Sequence, residues 1–307
     1  MITHYFKTVQ DTELKELPSS RAGVWTHVVA PTEAELTELV RDYGLDEAIL
    51  ADAQDFYEVP RMERSGGVHY FFTRYNFDEK DRITDTAPLL LVMGESFVLT
   101  MALREVPQFS KLIEQPNQLV TTQKTKLFIT LLDLVTSSFE RELTRLRRIV
   151  HKDRVKLRHI GPKEIQRLVN YENELNSIIA AVVPTNSWLG QVTNGNHIQM
   201  FTEDVEMMED LLIANRQLID SSRQLLLTIQ NVRNASEAIM TSNLNATIKT
   251  LTLLTILLTI PTIVASLYGM NVPLPLQDNI FSFWLLLLVI VGAVSGALYF
   301  FKRNEWL

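Results

Sequence analysis

Asn245, Ile248, Thr252, Thr255, Thr259, Thr262 and Ser266 follow one another at steps of 3, 4, 3, 4, 3 and 4. On an α-helix that spacing puts all seven on one face. Six of the seven side chains can hydrogen-bond. Such a face has two readings. Threonines in an apolar helix bond back to their own backbone or pack against a neighbouring helix. Alternatively the face lines a water-filled path, and then several copies must surround it, because one helix encloses nothing. Asn271 lies just beyond the stripe. Its amide oxygen is a neutral, hard ligand suited to Mg2+ or to that ion's bound waters.

The elements that must position these residues are apolar. Residues 250–268 and 280–301 carry no charge. A bilayer core of ~30 Å needs about 20 apolar residues as helix, so both segments are expected to span a membrane. Of 29 Lys+Arg and 36 Asp+Glu, only Lys249, Lys302, Arg303, Asp278 and Glu305 lie beyond residue 244. Lys302 and Arg303 follow the second segment, Lys249 precedes the first, and the loop 269–279 has no Lys or Arg. The positive-inside rule then places both chain ends in the cytoplasm and the loop outside, in a cell (inner) membrane. Trp284 and Trp306 stand roughly 33 Å apart along a helix, matching two interfacial belts. Gly292 and Gly296 form a GxxxG, a close-packing face for another helix. The first residues carry no apolar run, so no signal peptide is expected.

Residues 1–120 read as a cytoplasmic domain of mixed helices and strands. A helical pattern opens at Pro31-Thr32-Glu33-Ala34-Glu35. A strand is expected over 68–77, and two more over 89–92 and 97–101 around the turn Gly94-Glu95-Ser96. Residues 121–184 read as a helical hairpin split at Gly161-Pro162, within a segment 121–195. Eight Lys or Arg fall within 141–158; interleaved acids suggest a solvated face, with anionic lipid or nucleotide contact as the alternative. Residues 196–260 contain neither Gly nor Pro, enough for a helical rod of about 97 Å. Leu211, Leu218, Leu225, Val232 and Ile239 repeat every seven residues in it. That repeat reads as a coiled-coil seam between copies, or as a face packed on the chain's own domain.

Composition excludes several functions. The chain has no cysteine, so disulfides, thiolate metal sites and cysteine nucleophiles are absent. The formal net charge of −7 argues against nucleic-acid binding. No Gly-rich phosphate loop, GxSxG or HExxH occurs, so neither an enzyme nor an organic cofactor is expected. His4, His27, His69, His151, His159 and His197 are scattered and read as ordinary surface or core residues. Glu203, Asp204, Glu206, Glu209 and Asp210 crowd the start of the rod, with Glu203, Glu206 and Asp210 on one face. Acids there complement the helix dipole and stay solvated.

Tyr268-Gly269-Met270-Asn271, at the outer end of the first of two terminal spans, resembles the signature of the CorA family of divalent-cation transporters. The run Pro261-Thr262-Ile263-Val264-Ala265-Ser266-Leu267 before it, and Pro60-Arg61-Met62-Glu63 ahead of a core strand, are similar to that family too. The resemblance covers essentially the whole chain.

It implies an α+β cytoplasmic domain and a long stalk helix continuous with the first of two C-terminal transmembrane helices, assembled as a funnel-shaped homopentamer. The stalk and first span would cover 196–268, the second span 280–301 and a cytoplasmic tail 302–307. Gly269, Met270 and Asn271 would form the selectivity filter. Asn245, Thr252, Thr255, Thr259, Thr262 and Ser266 would line the pore, and Ile248 and Leu251 would match its apolar constriction. Asp210 matches the family's stalk-helix aspartate, with Glu206 and Glu203 beside it and Asp78 or Asp81 as candidate partners. Mg2+ would be both cargo and regulator, with membrane lipid as the surroundings. The loop departs from the family in having Asp278 as its one acid, which leaves Zn2+, Co2+ or Ni2+ open as cargo. A membrane-anchored coiled-coil scaffold is the reading from another class.

Overall fold

In the computed structural model, residues 1–77, 85–116, 119–154, 162–195, 198–272, 274–275 and 280–304 are described. The chain forms two compact units, Met1–Arg233 and Asn234–Leu307. The first holds β1 (Ile2–Phe6), β2 (Lys15–Leu17), β3 (Trp25–Val29), α1 (Glu33–Tyr43), α2 (Glu47–Asp52), β4 (Met62–Ser65), β5 (Val68–Phe77), β6 (Asp85–Met93), β7 (Val98–Ala102) and α3 (Pro107–Glu114). Then come α4 (Lys124–Arg154), α5 (Pro162–Asn194), α6 (Thr202–Tyr268) and α7 (Ser282–Arg303). The unit boundary falls inside α6.

The seven-stranded sheet runs β2-β1-β3-β7-β6-β5-β4. Only β3 and β7 pair in parallel among these neighbours. Successive side chains point to opposite faces, and both faces are covered. Tyr70, Phe72, Leu90 and Val92 pack with Leu39, Ile49 and Leu50 of α1 and α2. Phe71, Tyr75, Leu89 and Leu91 face α3 to α6. This two-sided burial explains the unbroken apolar run of β6. The expected α+β class holds. The hairpin at Gly94-Glu95-Ser96 joins antiparallel strands, with Leu91 opposite Thr100. At α1, Thr32 and Glu35 form a capping box, and Gly44 ends the helix in the left-handed region at φ 63°.

One large helix runs past its expected end. α5 continues through Pro184 to Asn194. An interior proline removes one backbone bond and costs about 3 kcal/mol. Burial of Ala181, Val182, Trp188, Leu189 and Val192 offsets that. The Thr185 hydroxyl also donates to the Ala181 carbonyl at 2.8 Å. Trp188 ties α5 to the sheet: its indole N–H donates to the Phe72 carbonyl at 3.1 Å. α6 begins at Thr202 rather than 196 and runs through Pro261. Gly161 and residues 155–160, where the hairpin is expected to turn, lie outside the described residues.

The seven-residue repeat is the main correction. Leu211, Leu218, Leu225 and Val232 are buried within their own chain, in the cluster shared with α4, α5 and the sheet. Ile239, beyond the unit boundary, is exposed. A heptad reports that a helix has one buried face; it does not name the partner. Here the first four positions need no second copy.

Ion pairs fasten the same interface. Arg233 of α6 meets Glu172 of α5 at 2.6 Å. Arg145 of α4 bonds both Glu142 and Glu174, the latter at 2.9 Å. Burial pushes the Glu174 carboxyl up to about 7; Arg145 opposes that rise and Glu142 adds to it.

Two expectations follow. Leu218→Ala should cost about 2–5 kcal/mol of unit stability, as for buried leucines generally. The thermal melting shift in detergent should be independent of protein concentration, because the leucine is covered by its own chain. Glu174 titrates at 4.5 unfolded and near 7 folded, so the folded state binds more protons across that window. Its contribution to stability is therefore lost as pH rises from about 4.5 to about 7. Compared with the parent, Glu174→Gln should show a flatter fall of melting temperature across that range.

Candidate functional site

The second unit holds the end of α6 and all of α7. Both helices are long and apolar enough to cross a membrane, and the apolar window of neither is buried. Each shows one covered face. On α6 it comprises Leu253, Ile256, Leu257, Ile260 and Val264. On α7 it comprises Ser282, Leu286, Ile290, Val294, Ala297 and Phe301. Lys302 and Arg303 lie in the last turn of α7, where cations complement the helix dipole. Gly292 and Gly296 are off the covered face, and a Cβ added at either would meet nothing within 4 Å.

The polar stripe is what this unit leaves open. Asn245, Ile248, Thr252, Thr255, Thr259, Thr262 and Ser266 are all exposed, as is Leu251 at the stripe's edge. Helical periodicity turns the stripe well away from Leu253 and Ile260. Thr255, Thr259 and Thr262 donate their hydroxyl protons to the carbonyls of Leu251, Thr255 and Leu258, at 2.9, 2.7 and 2.7 Å. Back-bonding was one of the two readings of this face, and it is compatible with the other. A hydroxyl whose proton is committed to its own helix presents lone pairs outward. It is then an acceptor, and acceptors are what the waters around a cation require.

At the outer end, the Gly269 N–H donates to the Ala265 carbonyl at 2.9 Å and the Met270 N–H to that of Leu267 at 3.3 Å. These bonds close the last turn of α6 and leave Met270 and Asn271 exposed. The Tyr268 hydroxyl donates to the Pro275 carbonyl at 3.4 Å. Gly269 is not among the residues with positive φ, so no left-handed conformation demands glycine there. A Cβ would instead stand 3.2 Å from the Ala265 carbonyl oxygen, a crowding of a few tenths of an ångström.

The acids at the start of α6 do not gather in one chain. Glu203 pairs with Lys126 at 3.3 Å, and Asp204 accepts the Phe201 N–H at 3.2 Å. Glu206, Glu209 and Asp210 are exposed. Among the described residues, no three carboxylates or histidines come together as metal ligands. Asp78, Asp81 and Asp278 lie outside the described residues. The ion pairs Arg233–Glu172, between α6 and α5, and Arg145–Glu174, between α4 and α5, escape a reading of periodicity; the cue in the sequence is two acids between Tyr171 and Leu175.

The CorA-like Mg2+ transporter protein family model matches residues 20–303. The chain is 25% identical over 299 residues to the cobalt/magnesium transport protein CorA of Methanocaldococcus jannaschii, covering 92% of this chain and 91% of that protein. It is 21% identical to the magnesium transport protein CorA of Pasteurella multocida, covering 93% and 92%. Its fold matches the complete structure of the M. jannaschii CorA magnesium transporter with a TM-score of 0.86, covering 100% of this chain and 99% of that one at 21% identity. Members of this family transport divalent cations and are not enzymes. With the match spanning both units and including the stripe and its terminal Gly269-Met270-Asn271, the chain belongs to the CorA-like Mg2+ transporter family.

Proposed function

We propose that this chain assembles as a homopentamer in the cell (inner) membrane and carries Mg2+ into the cytoplasm, with both termini on the cytoplasmic side. The observation that carries the reading is the open stripe of α6: acceptor oxygens at regular spacing on an otherwise apolar, uncharged span. Five copies surrounding it would enclose a path lined by Asn245, Thr252, Thr255, Thr259, Thr262 and Ser266. Mg2+ dehydrates reluctantly, so it would travel with waters bonded to these oxygens. Asn271 amides would form a ring at the mouth and select the hydrated ion by size and charge. Ile248 and Leu251 would narrow the path and close it by dewetting. A membrane potential of 100 mV supplies about 4.6 kcal/mol for a divalent ion, so no nucleotide is needed. Co2+, named with magnesium for one relative, is the first competitor to test.

Asp210, with Glu206 and Glu203, would sense internal Mg2+ against an acid of the neighbouring protomer. Unbridged carboxylates repel, loosening the closed pentamer; bound Mg2+ favours it. The shift is limited by the ion's differential affinity for the two states.

Asn271→Ala should reduce Mg2+ entry into liposomes to near background while the purified assembly keeps the parent's mass. Undiminished entry would remove Asn271 from the filter, and a parent mass matching a monomer or dimer would remove the pentamer. Asp210→Lys should weaken closure by internal Mg2+ and abolish Mg2+ protection of the soluble unit against protease. Closure at the parent's Mg2+ concentration would make Asp210 a solvated helix-start acid.

A further inference from the structure

The buried face of α6 contains a residue that a leucine seam does not explain. Asn215 stands four residues after Leu211 and three before Leu218, on the same face. It is 1% exposed, as deep as the leucines beside it. Its amide nitrogen Nδ2 is buried and has no hydrogen-bond partner among the described residues. A buried donor in that condition destabilises a folded unit, whereas a leucine at the same position would add to the seam.

Asn215 fronts a cavity of about 10 Å³, taken as the space open to the centre of a water molecule. One water needs roughly 10–15 Å³ by that measure. Thr73 of β5, Thr136 and Phe139 of α4, and Thr185 and Leu189 of α5 are also in its wall, and all are buried. The whole wall belongs to the first unit.

Counting protons identifies the occupant. The Thr185 hydroxyl donates to the Ala181 carbonyl at 2.8 Å. In the 3.0 Å contact between the Thr73 and Thr185 hydroxyls, the proton is therefore that of Thr73. Both protons are spent within the wall, and each oxygen keeps at least one lone pair. The cavity thus sets an unpartnered donor against acceptors. A bare cation needs acceptors alone, and the Asn215 amide hydrogens would repel it. Chloride needs donors alone and is larger than a water. A water accepts from the one group and donates to the others.

We propose that this cavity binds one ordered water, which accepts from Asn215 Nδ2 and donates to the hydroxyl oxygens of Thr73 and Thr185. The water joins α6 to α5 and to the sheet by hydrogen bonds, at a point where Leu211 and Leu218 on either side contribute apolar contact. Such a bridge is nearly as favourable as a direct bond. It accounts for an asparagine within the seam and needs nothing from the membrane unit or from the identity of the transported ion.

The test reads the water in the full chain, purified in detergent. X-ray radiolysis makes hydroxyl radicals from every water, bound ones included, whereas photolysis of added peroxide makes them in bulk solvent. Phe139 is in the cavity wall and 2% exposed; Phe128 is 0% exposed and outside the wall. X-rays should oxidise Phe139 several-fold more than Phe128, and peroxide photolysis should oxidise neither. Equal oxidation of the two by X-rays in the parent overturns the proposal without any variant being made. Oxidation of Phe139 by peroxide photolysis shows a cavity open to bulk solvent and overturns it too. Asn215→Leu removes the donor and fills the space, so Phe139 oxidation by X-rays should fall to the level of Phe128. Undiminished oxidation in that variant would assign the radical to a different water and overturn the site. Transport is not read, so a failure here is separate from a failure of the transport reading.

Discussion

One helix has to satisfy two solvents. α6 runs unbroken from Thr202 to Tyr268, packed against protein in its first half and apolar enough to cross lipid in its second. Within hydrocarbon every backbone polar group must find its partner inside the segment, and a helix does so without help. The same bonding pattern serves in water, so the backbone need not change; only the side chains do. Up to Val232, a leucine or valine at every seventh position is buried by the chain's own helices. From Asn245, one face turns to amide and hydroxyl groups and opens outward. Pro261 removes one backbone bond within the apolar stretch, and the helix runs through it. The fold of the first unit, including the two ion-paired helices beside α6, follows from having to bury one end of this rod.

The threonine face shows how a local bond decides a distant possibility. A hydroxyl has one proton and two lone pairs. With the proton of Thr255, Thr259 and Thr262 committed to carbonyls four residues back, the outward group is an acceptor. A carboxylate there would attract a bare cation more strongly, but an ion held tightly does not move on. In the proposed path, neutral acceptors would bind the hydrating waters, and each step along the face would exchange one hydrogen bond for another of similar strength. That is the balance conduction needs: binding favourable enough to enter and weak enough to leave.

Much of this was legible in the sequence where a period carried it. The strand over 68–77 announces itself because Tyr70 and Phe72 alternate with Phe71, Thr73 and Tyr75, and both sets are buried. The stripe is legible for the same reason, as is the existence of the long helix. What periodicity omits is the partner. Leu211 to Val232 read as a seam between copies, and the packing of α4 and α5 shows that the chain covers them itself. The helix end at Pro184 was misplaced because a local cost was weighed without the tertiary burial that exceeds it. Arg145 with Glu174, and Arg233 with Glu172, lie 29 and 61 residues apart, and no short-range rule links them. Residue type is no guide to the backbone at Gly269, whose φ is not positive.

Charge placement in the first unit follows from the same burial. A row of cations on one helix repels itself, by amounts comparable to the gain from favourable pairs at the same spacing. On α4 the relief comes from beneath: Glu142 is on the same helix and Glu174 reaches across from α5, and both meet Arg145 in the middle of the row. Burial pushes the Glu174 carboxyl up, and Arg145 opposes that rise. Arg141, Arg148 and Lys152 remain exposed. At the start of α6 the sign is reversed and the logic repeated, with Lys126 offsetting Glu203 while Glu206 and Asp210 stay open. In both places part of the charge is paired and part is left exposed.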